Sequence, residues 1–239
     1  MQKFIPIAAL AILLIGCKGG ETTAATGGGT GGGNVAAEGK TYTFKFAPEQ
    51  GKKYSYAMNI DGGPSQKIEM GMTMDVTKVE DDKSTLVMTM DSMKMNGSDA
   101  PAAVMDSMKK MKTTMVIDST GKTVSSTTEG APAGSSQNFS GASFPTKPVK
   151  VGDTWEGVSN AGGKETKATY KFARVENAGG QEVAVFEVTP QNLEGVTLSG
   201  PMLVMVNVND GMTNSMTMKG TAKGADGKDT PVTMEMKLK

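Results

Sequence analysis

Methionine takes alternate positions through Met70-Gly-Met-Thr-Met74 and again through Met88-Thr-Met90, and the chain holds twenty of them in all. A thioether at such density has three uses. It fills irregular gaps in a core, it lines a pocket that meets varied apolar ligands, or it binds soft Cu(I) or Ag(I) ions. Residues two apart on a strand share a face. Met58, Met70, Met72, Met74, Met88 and Met90 are therefore expected to turn inward together, as core or as pocket lining. Met216, Met218, Met234 and Met236 repeat the pattern near the C-terminus, and Met108 and Met111 add thioethers from a helical segment. The stretches "MDSMKMNGS" and "MDSMKKMKTTM" have the density for a soft-metal site. No resident metal or cofactor is expected, because same-face neighbours pack against each other and no histidine assists them.

Other chemistries lack their residues. With no histidine, neither a Ser-His-Asp nor a Cys-His arrangement can be built, nor a His-ligated zinc or haem site. A single cysteine excludes an internal disulfide. Gly121-Lys122-Thr123 resembles the end of a phosphate loop, but Val116 stands where that motif needs its first glycine. Asp81 and Asp82 are adjacent in a turn and point apart, unlike a working carboxylate pair. The expectation is a protein that is not an enzyme. Charge is balanced at 25 basic and 25 acidic side chains, and Arg174 is the sole arginine. Nucleic acid is not an expected partner.

The cysteine has a different meaning. "MQKFIPIAALAILLIGC" carries one positive charge and then an apolar run too short to span a bilayer, which is the layout of a signal peptide over 1–16. Its ending, Leu14-Ile15-Gly16-Cys17, resembles the bacterial lipobox. That implies cleavage before Cys17, lipidation of Cys17, and membrane as a partner through that lipid. Lys18, rather than Asp, follows the cysteine, which implies the outer membrane as the address in the bacterial envelope. Residues 17–39 are rich in Gly, Thr and Ala and are expected to form a flexible tether.

The elements that must position the methionines begin at Lys40. "TYTFKF", "KYSYAMNI", "KIEMGMTMDV" and the run to Met90 alternate apolar and polar residues, the signature of strands buried on one face. At Asp91-Ser92 the parity slips, since Met93 and Met95 are odd where Met88 and Met90 are even; a bulge there would restore them to the same face. Around "GSDAPAAVMDSMKKMK" one short helix near 100–111 is expected, capped by Ser98 or Asp99 with Pro101 in its first turn. Val104, Met108 and Met111 form its stripe, with Met105 beside it, placed against the sheet or over its mouth. A hairpin then turns over Asp118–Gly121. A loop over 125–144 divides the domain into two halves, or two sheets. Trp155 begins a strand, and further strands are expected near 165–175, 182–189, 196–208, 212–219 and 231–238. Together these predict a mainly β domain over 40–239: an antiparallel half-closed barrel or sandwich of about ten strands with one helix.

"GKKYSYAMNI", Met-Thr-Met-Asp-Val, "DSTGK", "FPTKPVKVGDTW" and "DGMTNSMTMKG" together resemble an uncharacterised family of bacterial lipoproteins. The resemblance implies a lipid-anchored, β-rich envelope protein and supplies no catalytic residues. The expected activity is binding an apolar small molecule (a lipid or acyl chain) or an envelope protein. A purely structural envelope role and Met-based Cu(I)/Ag(I) binding are the alternatives.

Overall fold

The computed structural model describes residues 39–63, 66–130, 144–161, 164–191, 196–223 and 227–239. The signal segment, Cys17, all but the last residue of the tether, and the middle of the 125–144 loop lie outside them.

Alternation becomes sheet as expected. In β1 (Lys53–Asp61) Tyr54, Tyr56, Met58 and Ile60 are buried, while Lys53, Ser55, Asn59 and Asp61 face water. Its neighbour β2 (Lys67–Glu80) sets Met74, Met72 and Met70 opposite Tyr54, Tyr56 and Met58. β3 (Lys83–Met95) pairs Met88 with Met74 and Met90 with Met72. Asp91 then has no opposite number, and Met93 falls opposite Met70. That is the bulge the change of parity called for. One extra residue keeps all seven thioethers of β2 and β3 on the inner face.

Asn96 and Gly97 both take positive φ, 53° and 80°, in the two-residue turn from β3 to β4 (Ser98–Asp99). Ser98 and Asp99 are thus ladder residues rather than helix caps. Pro101 occupies the cap of α1 (Ala102–Lys110), and no side chain caps it. β5 (Lys112–Asp118) and β6 (Thr123–Glu129) form the expected hairpin, with the Asp118 carboxylate accepting from the amides of Thr120 and Lys122. The stretch 125–129, expected as the start of the 125–144 loop, is strand because it completes this ladder.

The second half supplies β7 (Thr154–Ala161), β8 (Lys164–Ala178), β9 (Gln181–Pro190), β10 (Val196–Leu198), β11 (Met202–Asn207), β12 (Thr213–Lys223) and β13 (Asp229–Leu238). The strand expected over 196–208 is broken at Ser199-Gly200-Pro201. Pro201 has no N–H to donate, and the chain loops out there between its two pairings with β12.

All of this is one antiparallel sheet, not two, because β1 pairs with β13 in the middle. The order is β6-β5-β3-β2-β1-β13-β12-β11-β9-β8-β7, with β4 on β3 and β10 on β12, and it does not close. The sheet rolls nonetheless. Phe46 donates its amide to Ser119 O in the β5–β6 turn, and the next residue, Ala47, donates to Asp210 O in the β11–β12 turn. Those turns belong to strands five steps apart, about 24 Å in a flat sheet. Adjacent amides can reach both only if the sheet curls around the segment between them.

That segment is "TYTFKF". Tyr42 and Phe44 are buried on alternate positions, but the backbone bonds to Val149, Ser119 and Asp210 rather than to one strand. It is a plug in one end of the roll, not the first strand. Gly211 makes room for it: its φ is +71°, and a Cβ would collide with Lys45 O and the Phe144 ring. Gly211→Ala is expected to cost about 2–4 kcal/mol in urea unfolding; an unchanged midpoint would mean that the plug does not bear on this turn.

Candidate functional site

The inward methionines line up across strands. Met216 lies opposite Met236, Met236 opposite Met58, Met58 opposite Met70, and Met70 opposite Met93. This row crosses β12, β13, β1, β2 and β3, each side chain about 5 Å from the next at Cβ. Met218 and Met234 begin a second row that continues through Ile60, Ile68 and Met95. Unbranched thioethers suit such rows, because they adjust to the changing spacing of a rolled sheet.

Burial divides the nominated residues. Met58, Met72, Met74, Met88, Met216, Met218, Met234 and Met236 are buried, whereas Met70, Met90, Met108 and Met111 are half-buried. Met115, Met202 and Met212 belong to the core as well, although Met115 and Met202 sit in strands with too few methionines to stand out and Met212 sits in the β11–β12 turn. Met93, Met95 and Met105 join the half-buried group. The change of parity at Asp91 was the signal for the first two. α1 packs against β3 but buries none of its residues, and Val104 is 41% exposed. The stripe is therefore Met105, Met108 and Met111, with Val104 turned to water.

The plugged end is aromatic. Phe44 meets Phe186 and Phe172 edge-on at 5.1 and 5.3 Å, Phe144 lies 5.8 Å away, and Trp155 stacks on Tyr170. Such pairs add directional packing to burial. Asp210 ties the plug to the sheet. Its carboxylate accepts from the Tyr54 hydroxyl at 3.0 Å and from the Met212 amide at 2.9 Å, and its carbonyl holds Ala47. Tyr56 donates to Thr213 O at 2.9 Å. Burial raises the phenol pKa of both Tyr54 and Tyr56, and the Asp210 charge adds to it. At the rim, Lys40 donates to Glu182 at 2.9 Å; this bond raises the lysine pKa and lowers the carboxylate pKa.

Beneath the plug is a cavity of about 30 Å³, lined by Tyr56, Met74, Leu86, Met115, Met212 and Met236. Ligand sites occupy about 300–1,000 Å³, so this gap is far too small for an acyl chain. Soft-metal capture in the core meets a similar obstacle, since eight of the twelve nominated thioethers are closed off from water. Among the described residues no three His, Cys, Asp or Glu side chains gather as a metal group, and Asp81 and Asp82 sit exposed in their turn. Compared with known protein families, curated proteins and solved structures, the chain finds no match in any of the three.

Two measurements check this geometry. Met58→Ala is expected to destabilise the domain by about 2–5 kcal/mol, and Met58→Leu by under about 1.5 kcal/mol because volume is kept, both by urea unfolding. Raised phenol pKa values favour the protonated form in the folded state. That stability is complete below the ordinary tyrosine value of about 10 and is lost as pH rises above it. The melting temperature should therefore decline from about pH 10, and Tyr56→Phe should soften the decline.

Proposed function

We propose that this chain is a lipid-anchored, non-enzymatic protein of a bacterial envelope that works by its outer surface, engaging a protein partner rather than storing a ligand inside. The observation that carries this reading is the buried methionine row: the residues best suited to line a pocket join the core, and the cavity that four of the inward methionines line holds only about 30 Å³. Anchoring is supported by Leu14-Ile15-Gly16-Cys17 and the Gly-rich tether behind it. The absence of catalysis is supported by the shifted titratable groups. Among the described residues, Tyr54, Lys40 and Glu182 are engaged in holding the plug or its rim, and Tyr56 in bonding β12 through Thr213 O.

A second reading places an acyl chain at the open end of the roll. Ile68, Met70, Met93 and Met95 are half-buried there, at the end of β2 and β3 away from the plug. One experiment separates the two. Protein extracted from its own membrane in mild detergent is weighed by native mass spectrometry. A mass with acyl groups on Cys17 and no further lipid fits the first reading, and a stoichiometric non-covalent lipid fits the second. Cys17→Ala should lose the acyl mass and leave the membrane fraction; retention there would overturn the anchor.

A further inference from the structure

α1 is held to the domain in an unusual way. β4 pairs with β3 at Lys94 and Met95, and β5 pairs with the same edge of β3 from Thr89 to Lys83. Between them, over Met90–Met93, that edge has no strand beside it. α1 joins β4 to β5 and packs against β3, so it covers this gap. Ala100, just before the helix, donates its amide to Met93 O.

The helix has little stability of its own. It is nine residues long, without a side-chain cap, an acidic residue in its first turn, or a buried side chain. Helices of this length are marginal in isolation. What it has for docking is Met105, Met108 and Met111, all half-buried, beside a strand whose Met90, Met93 and Met95 are half-buried too. The seam therefore consists of methionines that are each partly open to water. By contrast Met58, Met216 and Met236 are no more than 1% exposed.

We propose that this seam is an oxidant-responsive modification site, in which a hydroperoxide converts Met93, Met105, Met108 and Met111 to sulfoxides and thereby releases α1 from β3. In each step a sulfur lone pair attacks the terminal peroxide oxygen, the O–O bond breaks and an S–O bond forms. The departing oxygen takes up the proton and leaves as water or alcohol, so sulfur is oxidised by two electrons and the peroxide reduced by two. A sulfoxide is polar and accepts hydrogen bonds, which a thioether seam cannot supply. The helix takes no buried side chain with it, because α1 buries none, and of the four only Met93 lies on the inner face, at the half-buried end of the row beside Met70. The edge of β3 at Met90–Met93 is uncovered.

The test uses the folded chain exposed to limiting hydrogen peroxide, with peptide mass mapping and amide hydrogen exchange on the same samples. Met93, Met105, Met108 and Met111 should oxidise at least about tenfold faster than Met58, Met216 and Met236. Exchange over residues 100–112 should rise while β1 and β13 stay protected. Half-buried Met205 faces the outer side of β11, between inward Val204 and Val206. Samples oxidised there alone should show no such rise. A quadruple variant, Met93→Leu, Met105→Leu, Met108→Leu and Met111→Leu, keeps the apolar volume and should keep α1 docked in peroxide. Uniform oxidation of buried and half-buried methionines would overturn the proposal. So would sulfoxides at the four positions without faster exchange over 100–112, or an equal rise in the leucine variant.

Discussion

The pairing of β1 with β13 is the contact on which the domain depends. It joins the first strand to the last and brings the methionine segments near each terminus into one continuous row. Without it, β1–β6 and β7–β13 would each present a sheet with an apolar face and nothing to bury it against. Pairings this distant in sequence require a large loop entropy to be overcome before they contribute, so this ladder is expected to form late in folding. Two turns and the plug then fix the curl that a flat pairing would leave open.

The interior uses two kinds of filler. Around β12, β13, β1, β2 and β3 it is thioether, flexible enough to follow the twist. At the plugged end it is ring on ring, where Phe44, Phe144, Phe172, Phe186, Trp155 and Tyr170 meet at defined angles. Rigid aromatics define the position of a segment that has no ladder of its own. That division explains how a chain with only 5% aromatic residues caps one end of a large open sheet: rings from β7, β8 and β9 receive those of Phe44 and Phe144, which have no ladder of their own.

Much of this was legible from period alone. Strict alternation gave the inward faces of β1, β2 and β13, and the odd-numbered Met93 and Met95 gave the bulge, because parity is a local property of a strand. The helix was readable too, but its orientation was not, since Val104 and Met105 fit a helical stripe equally well and only docking on β3 chooses between them. "TYTFKF" alternates like a strand and is buried like one; whether an extended segment joins a ladder depends on partners far away in sequence. The same holds for the pairing of β1 with β13. Whether methionines line a void or fill it depends on how tightly the sheet rolls, and composition does not encode that radius.

The edges of the sheet are β6 and β7, whereas the segment entering from the N-terminal side meets the domain at the rim of its plugged end, through Lys40, Tyr42 and Phe44, rather than as an outer strand. A pull on that segment cannot unzip an outer strand. Tension is first taken up by the Lys40–Glu182 ion pair, the Tyr42 hydroxyl and the mutual amide bonds of Tyr42 with Val149. These would have to give way, and the rings slide from their sockets, before the sheet itself carried any load.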